Sequence, residues 1–414
     1  MPNFVCKKLN KLEFPASINS CEFKSSFEEL RDGKNTGNFL VFTAFENSAF
    51  FISISKKANG EYVVKGDKNT KPTNTSHLHM ALNTFKQSYA LGVISDTTSN
   101  KTPAKMPLVL EPERLANVLN GNENGHGFDF TTLFGIWNLE YFKEIRLEIG
   151  FGSATHLLYR AKEMPNVLFV GVEIYRPGVA KASKMANEMG LKNVLFTNAD
   201  IRQLSEMFKN DLFSLVYMHF PVPWNESRGR RALNKNFVQE LNRILIQNGE
   251  FELRSDDKEF FKDSVELFMQ LPNANLRIIK DRQLEIVSKY EARWREQDKD
   301  IYDMIYICDK NTDLLHKCQH FDFSFSSPKE GLKNELKSNF NTAATLKFDD
   351  FFVHFLSLHV GSTGLLLKVS MGDFYAACNV YLLINKHINY IFAPPATKAN
   401  AKAHEKLKEI LCKQ

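Results

Sequence analysis

From residue 140 to about 310 the chain repeats one pattern: a short, nearly all-apolar run, a turn of small or acidic residues, then a stretch with helical spacing. The apolar runs are IRLEIG (145–150), VLFVGVE (167–173), NVLFTN (193–198), LFSLVYMHF (212–220) and GEFELRS (249–255). Between them stand ATHLLYRAKEM, GVAKASKMANEMG, NKNFVQELNRILIQ and KEFFKDSVELFMQL, each apolar at helical intervals. Strands that lack polar alternation must be covered on both faces. Strand–helix alternation at this spacing covers them with helices and makes the strands parallel. The central zone is therefore expected to be an α/β, Rossmann-like domain over 136–315.

The flanks read differently. Residues 1–135 carry NFLVFTAF (38–45), AFFISIS (49–55) and EYVVKG, which follows the KKANG turn as a hairpin, and then a helix across 77–91. Residues 316–414 carry FFVHFLSLHV, GLLLKVS and YAACNVYLLIN and end in KAHEKLKEILCK, a helix. Both read as mixed, β-rich accessory regions, which could equally fold as one joint domain. At 414 residues the chain exceeds one ordinary core. No apolar run reaches the roughly 18–20 residues that span a bilayer, and MPNFVCKKLNKLEF lacks a signal-peptide pattern. Six cysteines without C-x-x-C spacing argue against a zinc site or a disulfide framework and suit a reducing cytoplasm. A net charge of +5 permits a nucleic-acid partner without demanding one.

Chemistry concentrates at the strand ends. In LEIGFGSATH (147–156), Gly150 and Gly152 let the backbone approach a ligand, and the next helix offers free N–H groups. Glu173 ends the second strand, where an acid can take both hydroxyls of a ribose. Asp200 ends the third, placed for an exocyclic amine of adenine; Ile174, Ile201 and His219 complete the expected cofactor side. Glu148 would repel a dinucleotide pyrophosphate and attract an amino-acid ammonium. The set therefore fits S-adenosylmethionine better than NAD. Each acid alone is more often a helix N-cap or a solvated loop end; together, at three successive strand ends, they favour a ligand. FPVPW (220–224) closes the fourth strand as a stiff turn, and Arg228, Arg230 and Arg231 follow it. Arginine forks suit phosphates and guanine edges. SKYEARWREQDKDIYDM (288–304) interleaves bases with aromatics, a pattern suited to RNA.

LEIGFG, GVEIYRPGV, NAD, FPVPW, RR, RSDD and SKYE, in that order, resemble the motifs of the bacterial tRNA (guanine-N7-)-methyltransferases over about residues 145–308. The resemblance is to a long form with extensions at both ends. It implies a class I methyltransferase fold, S-adenosylmethionine as cofactor, and transfer to N7 of a guanine in the tRNA variable loop, position 46. It implies no membrane and no metal, and it leaves oligomeric state open. By the same resemblance Arg228, Arg230, Arg231, Asp256, Ser288, Lys289, Tyr290 and Glu291 face the substrate. The family's usual Phe-Pro-Asp-Pro-Trp aspartate is replaced by Val222, and a common lysine by Glu226. Asp256 or Glu291 is then expected to hold the guanine instead. The alternative is a non-catalytic or differently targeted RNA-binding protein of the same fold.

Overall fold

The structure is a computed structural model and describes residues 2–99, 106, 108–121, 139–286, 289–309, 321–340 and 344–413. Two compact units result: Met106–Phe321 with Pro395–Thr397, and Met1–Lys105 with Asp322–Pro394 and Lys398–Gln414. The expected three regions, divided near 135 and 316, are thus grouped as two, because the flanking segments build one sheet together.

In that flanking unit the first segment contributes β1 (Asn3–Leu9), β2 (Ala16–Ile18), β3 (Cys21–Arg31), β4 (Lys34–Phe45), β5 (Ser48–Lys56), β6 (Tyr62–Gly66) and β7 (Ala90–Asp96). The central unit contributes β8 (Glu144–Ile149), β9 (Val167–Val172), β10 (Val194–Thr197), β11 (Phe213–His219), β12 (Leu245–Ser255), β13 (Asn275–Lys280) and β14 (Tyr302–Ile307). The last segment adds β15 (Thr345–Lys347), β16 (Phe352–Gly361), β17 (Gly364–Gly372), β18 (Cys378–Ile384) and β19 (Ile388–Tyr390).

The flanking sheet runs β19-β18-β17-β16-β3-β4-β5-β6-β1-β7, with β2 and β15 paired off the path. The join is β3 against β16, antiparallel, with Leu30 opposite Leu358 and Glu28 opposite Val360. The helix Thr75–Tyr89 covers one half through Leu78, Leu82 and Phe85; the helix Lys398–Leu411 covers the other through Ala403, Leu407 and Leu411.

The second unit is a seven-stranded sheet in the order β10-β9-β8-β11-β12-β14-β13. β10 through β12 are mutually parallel; β14 is antiparallel to both β12 and β13. The five-stranded part follows the alternation in the sequence. The antiparallel pair does not, since β14 inserts between β12 and β13. β9 and β10 are buried at every residue, as strands covered on both faces must be. The helix expected to run to 247 ends at Ile244, and β12 begins at Leu245. Strand order reverses between β8 and β11, so a crevice opens outside their carboxyl ends, where such sheets bind ligands. Among the described residues no helix is long and apolar enough to cross a membrane.

Candidate functional site

The turn after β8 is shaped by backbone that only small residues accept readily. Gly150 and Gly152 take φ of +68° and +50°, and Ala154 follows at +58° just before the helix Thr155–Glu163. A Cβ at Gly150 would meet nothing within 4 Å, so the glycine leaves open space beside the chain. Glu173, at the end of β9, grips the same turn: its carboxylate accepts from Gly152 N–H at 3.1 Å and from Tyr175 N–H at 2.9 Å. Each oxygen retains lone-pair capacity for a further donor. Ile174 and Tyr175 stand beside it, both largely exposed despite their apolar bodies.

Glu148 is buried, and its Oε2 accepts from His156 Nδ1 at 2.7 Å. Its other oxygen has no hydrogen bond among the described residues. Strand register explains the wider polar cluster. Glu148, Tyr217 and Glu252 lie in one row across β8, β11 and β12; His219, Arg254 and Asp303 lie in the row two residues on. All these side chains therefore share one face. His156 packs against Tyr217 and His219, with ring centroids 4.8 and 4.7 Å apart. His219 Nε2 donates to Glu252 at 2.8 Å, and Arg282 donates to the other Glu252 oxygen at 2.8 Å. Burial opposes ionisation of Glu252, yet the His219 hydrogen bond and the Arg282 guanidinium hold its carboxyl down at about 2. Burial pushes His219 below its ordinary value, against the hydrogen bond and charge of Glu252 that raise it. The FELRS run announced this face, because Glu252 and Arg254 alternate with Phe251 and Leu253 at the strand period; the reading of the sequence passed over it.

FPVPW forms the corner beyond β11. Phe220 and Trp224 both adopt left-handed backbone, φ +51° and +46°, an uncommon state for bulky residues. Phe220 N–H is fixed by Arg254 O at 2.8 Å. Val222 is 61% exposed, so the corner presents an apolar knob and not a buried one. Arg231 is the staple of this loop. It is buried over the Phe260 ring and donates to Pro223 O at 2.6 Å, Asn225 Oδ1 at 2.9 Å and Asp263 Oδ2 at 2.6 Å. Its fork is therefore taken up by the loop and by Asp263 on the helix Lys258–Phe268. Arg228 is exposed and pairs with Glu259 and Asp263. Arg230 lies over the Trp224 ring at 5.0 Å and has no ion pair among the described residues, which makes it the available guanidinium of the three.

The two candidate acids separate clearly. Glu291 is buried and accepts from Arg254 Nη2 at 3.0 Å, so its carboxylate neutralises a guanidinium inside the unit. Asp256 follows β12, is partly exposed, and accepts from Lys299 Nζ at 3.1 Å. That lysine in turn lies over the Trp294 ring at 3.6 Å. Asp200 is also occupied: it caps the helix Ile201–Met207 through Arg202 N–H and forks onto the Arg202 side chain at 2.6–3.1 Å. Ile201 is buried beneath it. Ser288 lies outside the described residues, as do the side chains of Lys289 and Tyr290, whose backbone opens the helix Lys289–Glu296. Among the described residues no group of three or more acidic, histidine or cysteine side chains is arranged to hold a metal ion.

The family model described as "Putative methyltransferase" matches residues 143–304. The tRNA (guanine-N(7)-)-methyltransferase of Campylobacter jejuni subsp. doylei is 37% identical, covering 99% of this chain and 98% of its own. The protein of that name from Campylobacter fetus subsp. fetus is 34% identical over 99% of each chain. The Helicobacter pylori one is 32% identical over 99% of this chain and 97% of its own. The similarity thus includes both flanking segments as well as the parallel sheet.

Proposed function

Because the chain belongs to the tRNA (guanine-N(7)-)-methyltransferase family, we propose that it methylates N7 of a guanine at position 46 of tRNA, with S-adenosylmethionine as donor. tRNA as the acceptor puts the reaction in the cytoplasm. The observation that carries this reading is the convergence of Glu148, Glu173 and the Gly150–Gly152 turn at the point where strand order reverses. These residues fit the donor. Glu173 has acceptor capacity for the ribose hydroxyls, the second Glu148 oxygen is available to an ammonium, and the open space at Gly150 admits the amino-acid end. Ile174 and Tyr175 offer apolar surface to a purine. Asp200, saturated by Arg202, acts by fixing its loop and not by accepting from the adenine.

When bound, S-adenosylmethionine supplies a methyl group on a sulfonium. Guanine N7 carries a free in-plane lone pair, so no proton has to leave before it attacks and no general base is required. The residues of the chain then have to align and hold the base. In this reading Asp256 accepts from guanine N1–H and N2–H; its partial exposure and its pairing with Lys299 support the assignment. Val222 supplies a rigid apolar surface for the ring, held between two strained backbone positions. Retention of the paired donor-side acids disfavours the non-catalytic alternative.

Incubation with S-adenosylmethionine and unmodified tRNA, followed by borohydride–aniline scission, is expected to cleave the variable loop. Absence of scission while the donor still binds would overturn the assignment. Within the site, Asp256→Asn is expected to lower kcat/KM for tRNA by about 10- to 100-fold, the loss of a charged hydrogen-bond acceptor, with donor affinity unchanged in calorimetry. An unchanged kcat/KM would remove Asp256 from the guanine.

A further inference from the structure

The flanking unit contains a cavity of about 340 Å³ lined by Ser53, Lys65, Asp67, Lys68, Lys368 and Asn379, among others. Both flanking segments build it. Ser53 and Lys65 sit opposite one another on β5 and β6, Asp67 and Lys68 follow β6, and Lys368 and Asn379 come from β17 and β18. Asp67 is spent on its own turn, where one oxygen accepts from Asn69 N–H, Thr70 N–H and Thr70 Oγ1 at 3.1–3.2 Å. Its other oxygen lies 3.9 Å from Lys368 Nζ, too far for a hydrogen bond.

Lys368 is the informative group. Its stem crosses the buried Tyr381 ring, with Nζ 5.2 Å from the centroid, and the side chain is only 21% exposed. A half-desolvated ammonium with no hydrogen-bond acceptor among the described residues is costly unless an anion completes it. Burial pushes its pKa below the ordinary lysine value, and the Asp67 and Glu29 carboxylates only partly offset that. Behind it His359, also buried, spends Nε2 on Ser357 and leaves Nδ1 without a partner. Three lysines against one committed carboxylate leave the cavity cationic, and Asn379, whose amide N–H donates to Asn69, completes its lining on β18.

We propose that this cavity binds a phosphate group, and that its occupant is a backbone phosphodiester of tRNA. The second half of this statement rests on the function proposed above. The cavity is wider than one phosphate, its lysines come from β6 and the turn after it and from β17, and it is open to solvent, so a phosphate within a polymer can enter.

In the full chain, Lys368→Gln is expected to raise the Kd for tRNA about tenfold, as loss of a charged hydrogen bond does. It should also reduce the slope of log K against log salt by about 1. Lys368→Arg should stay within about twofold of the parent, since charge is kept, and Asn379→Asp, at an exposed position, should weaken tRNA as Lys368→Gln does. Donor affinity and thermal melting serve as controls for folding. Inorganic phosphate should compete with tRNA in the parent and not in Lys368→Gln. Unchanged tRNA affinity and salt slope in both Lys368→Gln and Asn379→Asp would overturn the proposal, even if inorganic phosphate binds the parent. Failure of the proposed function is read separately, as absence of N7-methylguanine with the parent protein.

Discussion

Arg254→Met is expected to cost about 3–5 kcal/mol of stability, the usual penalty for leaving buried charge without its partner. The guanidinium is fully buried, 3.0 Å from Glu291 and 2.8 Å from Asp303, and both carboxylates are buried with it. Its removal strands two acids in one pocket. Neither oxygen of Asp303 makes an aligned hydrogen bond even in the parent, so burial outweighs Arg254 and pushes that carboxyl up to about 6. The sign follows. Above the ordinary aspartate value the folded state holds a proton that the unfolded state has released. Stability associated with Asp303 is therefore present at low pH and is lost as pH rises through about 6. With Arg254 gone the raised pKa moves further up, and the deficit of the variant should grow between pH 5 and 8. Urea unfolding at several pH values measures this as a shift in midpoint at constant slope. A loss below about 1 kcal/mol at pH 7 would show that the triad is not the anchor described. Arg254→Met combined with Asp303→Leu and Glu291→Met should recover most of the loss, because an apolar core of similar volume needs no pairing.

Glu173→Ala is expected to weaken binding of S-adenosylmethionine by at least about 100-fold, the loss of two hydrogen bonds to a charged acceptor. The carboxylate holds Gly152 and Tyr175 by their N–H groups, and each oxygen retains lone-pair capacity for a further donor. Glu173→Gln keeps one acceptor oxygen and should fall between the two, at about tenfold. Titration calorimetry with the donor or its demethylated product separates this from loss of folding. If melting drops but affinity holds, Glu173 is only a turn staple.

The two predictions differ in how visible their residues were. Glu173 announces itself by position, because an acid at the end of a second apolar run has a local pattern around it. Arg254, Asp303 and Glu291 are in contact only because β14 inserts beside β12 in reverse direction and the helix Lys289–Glu296 packs over them. SKYE therefore gave no way to tell a substrate carboxylate from a buried counter-ion. RR was ambiguous in the same manner. Arg231 turns inward to staple the Pro223 loop while Arg230 lies outward on Trp224, although the two are adjacent in the chain. Asp200 shows a third version, since the acid that could meet an adenine is neutralised by an arginine two residues away.

Periodicity alone determined the parallel sheet, its glycine turn and the acids at its strand ends, because each is written within a few residues of itself. Which charge neutralises which, and that the two ends of the chain close one sheet around a cationic cavity, was decided only by the tertiary structure. The reason is physical: a carboxylate's role depends on the nearest cation in space, and burial brings together groups that the sequence holds tens or hundreds of residues apart.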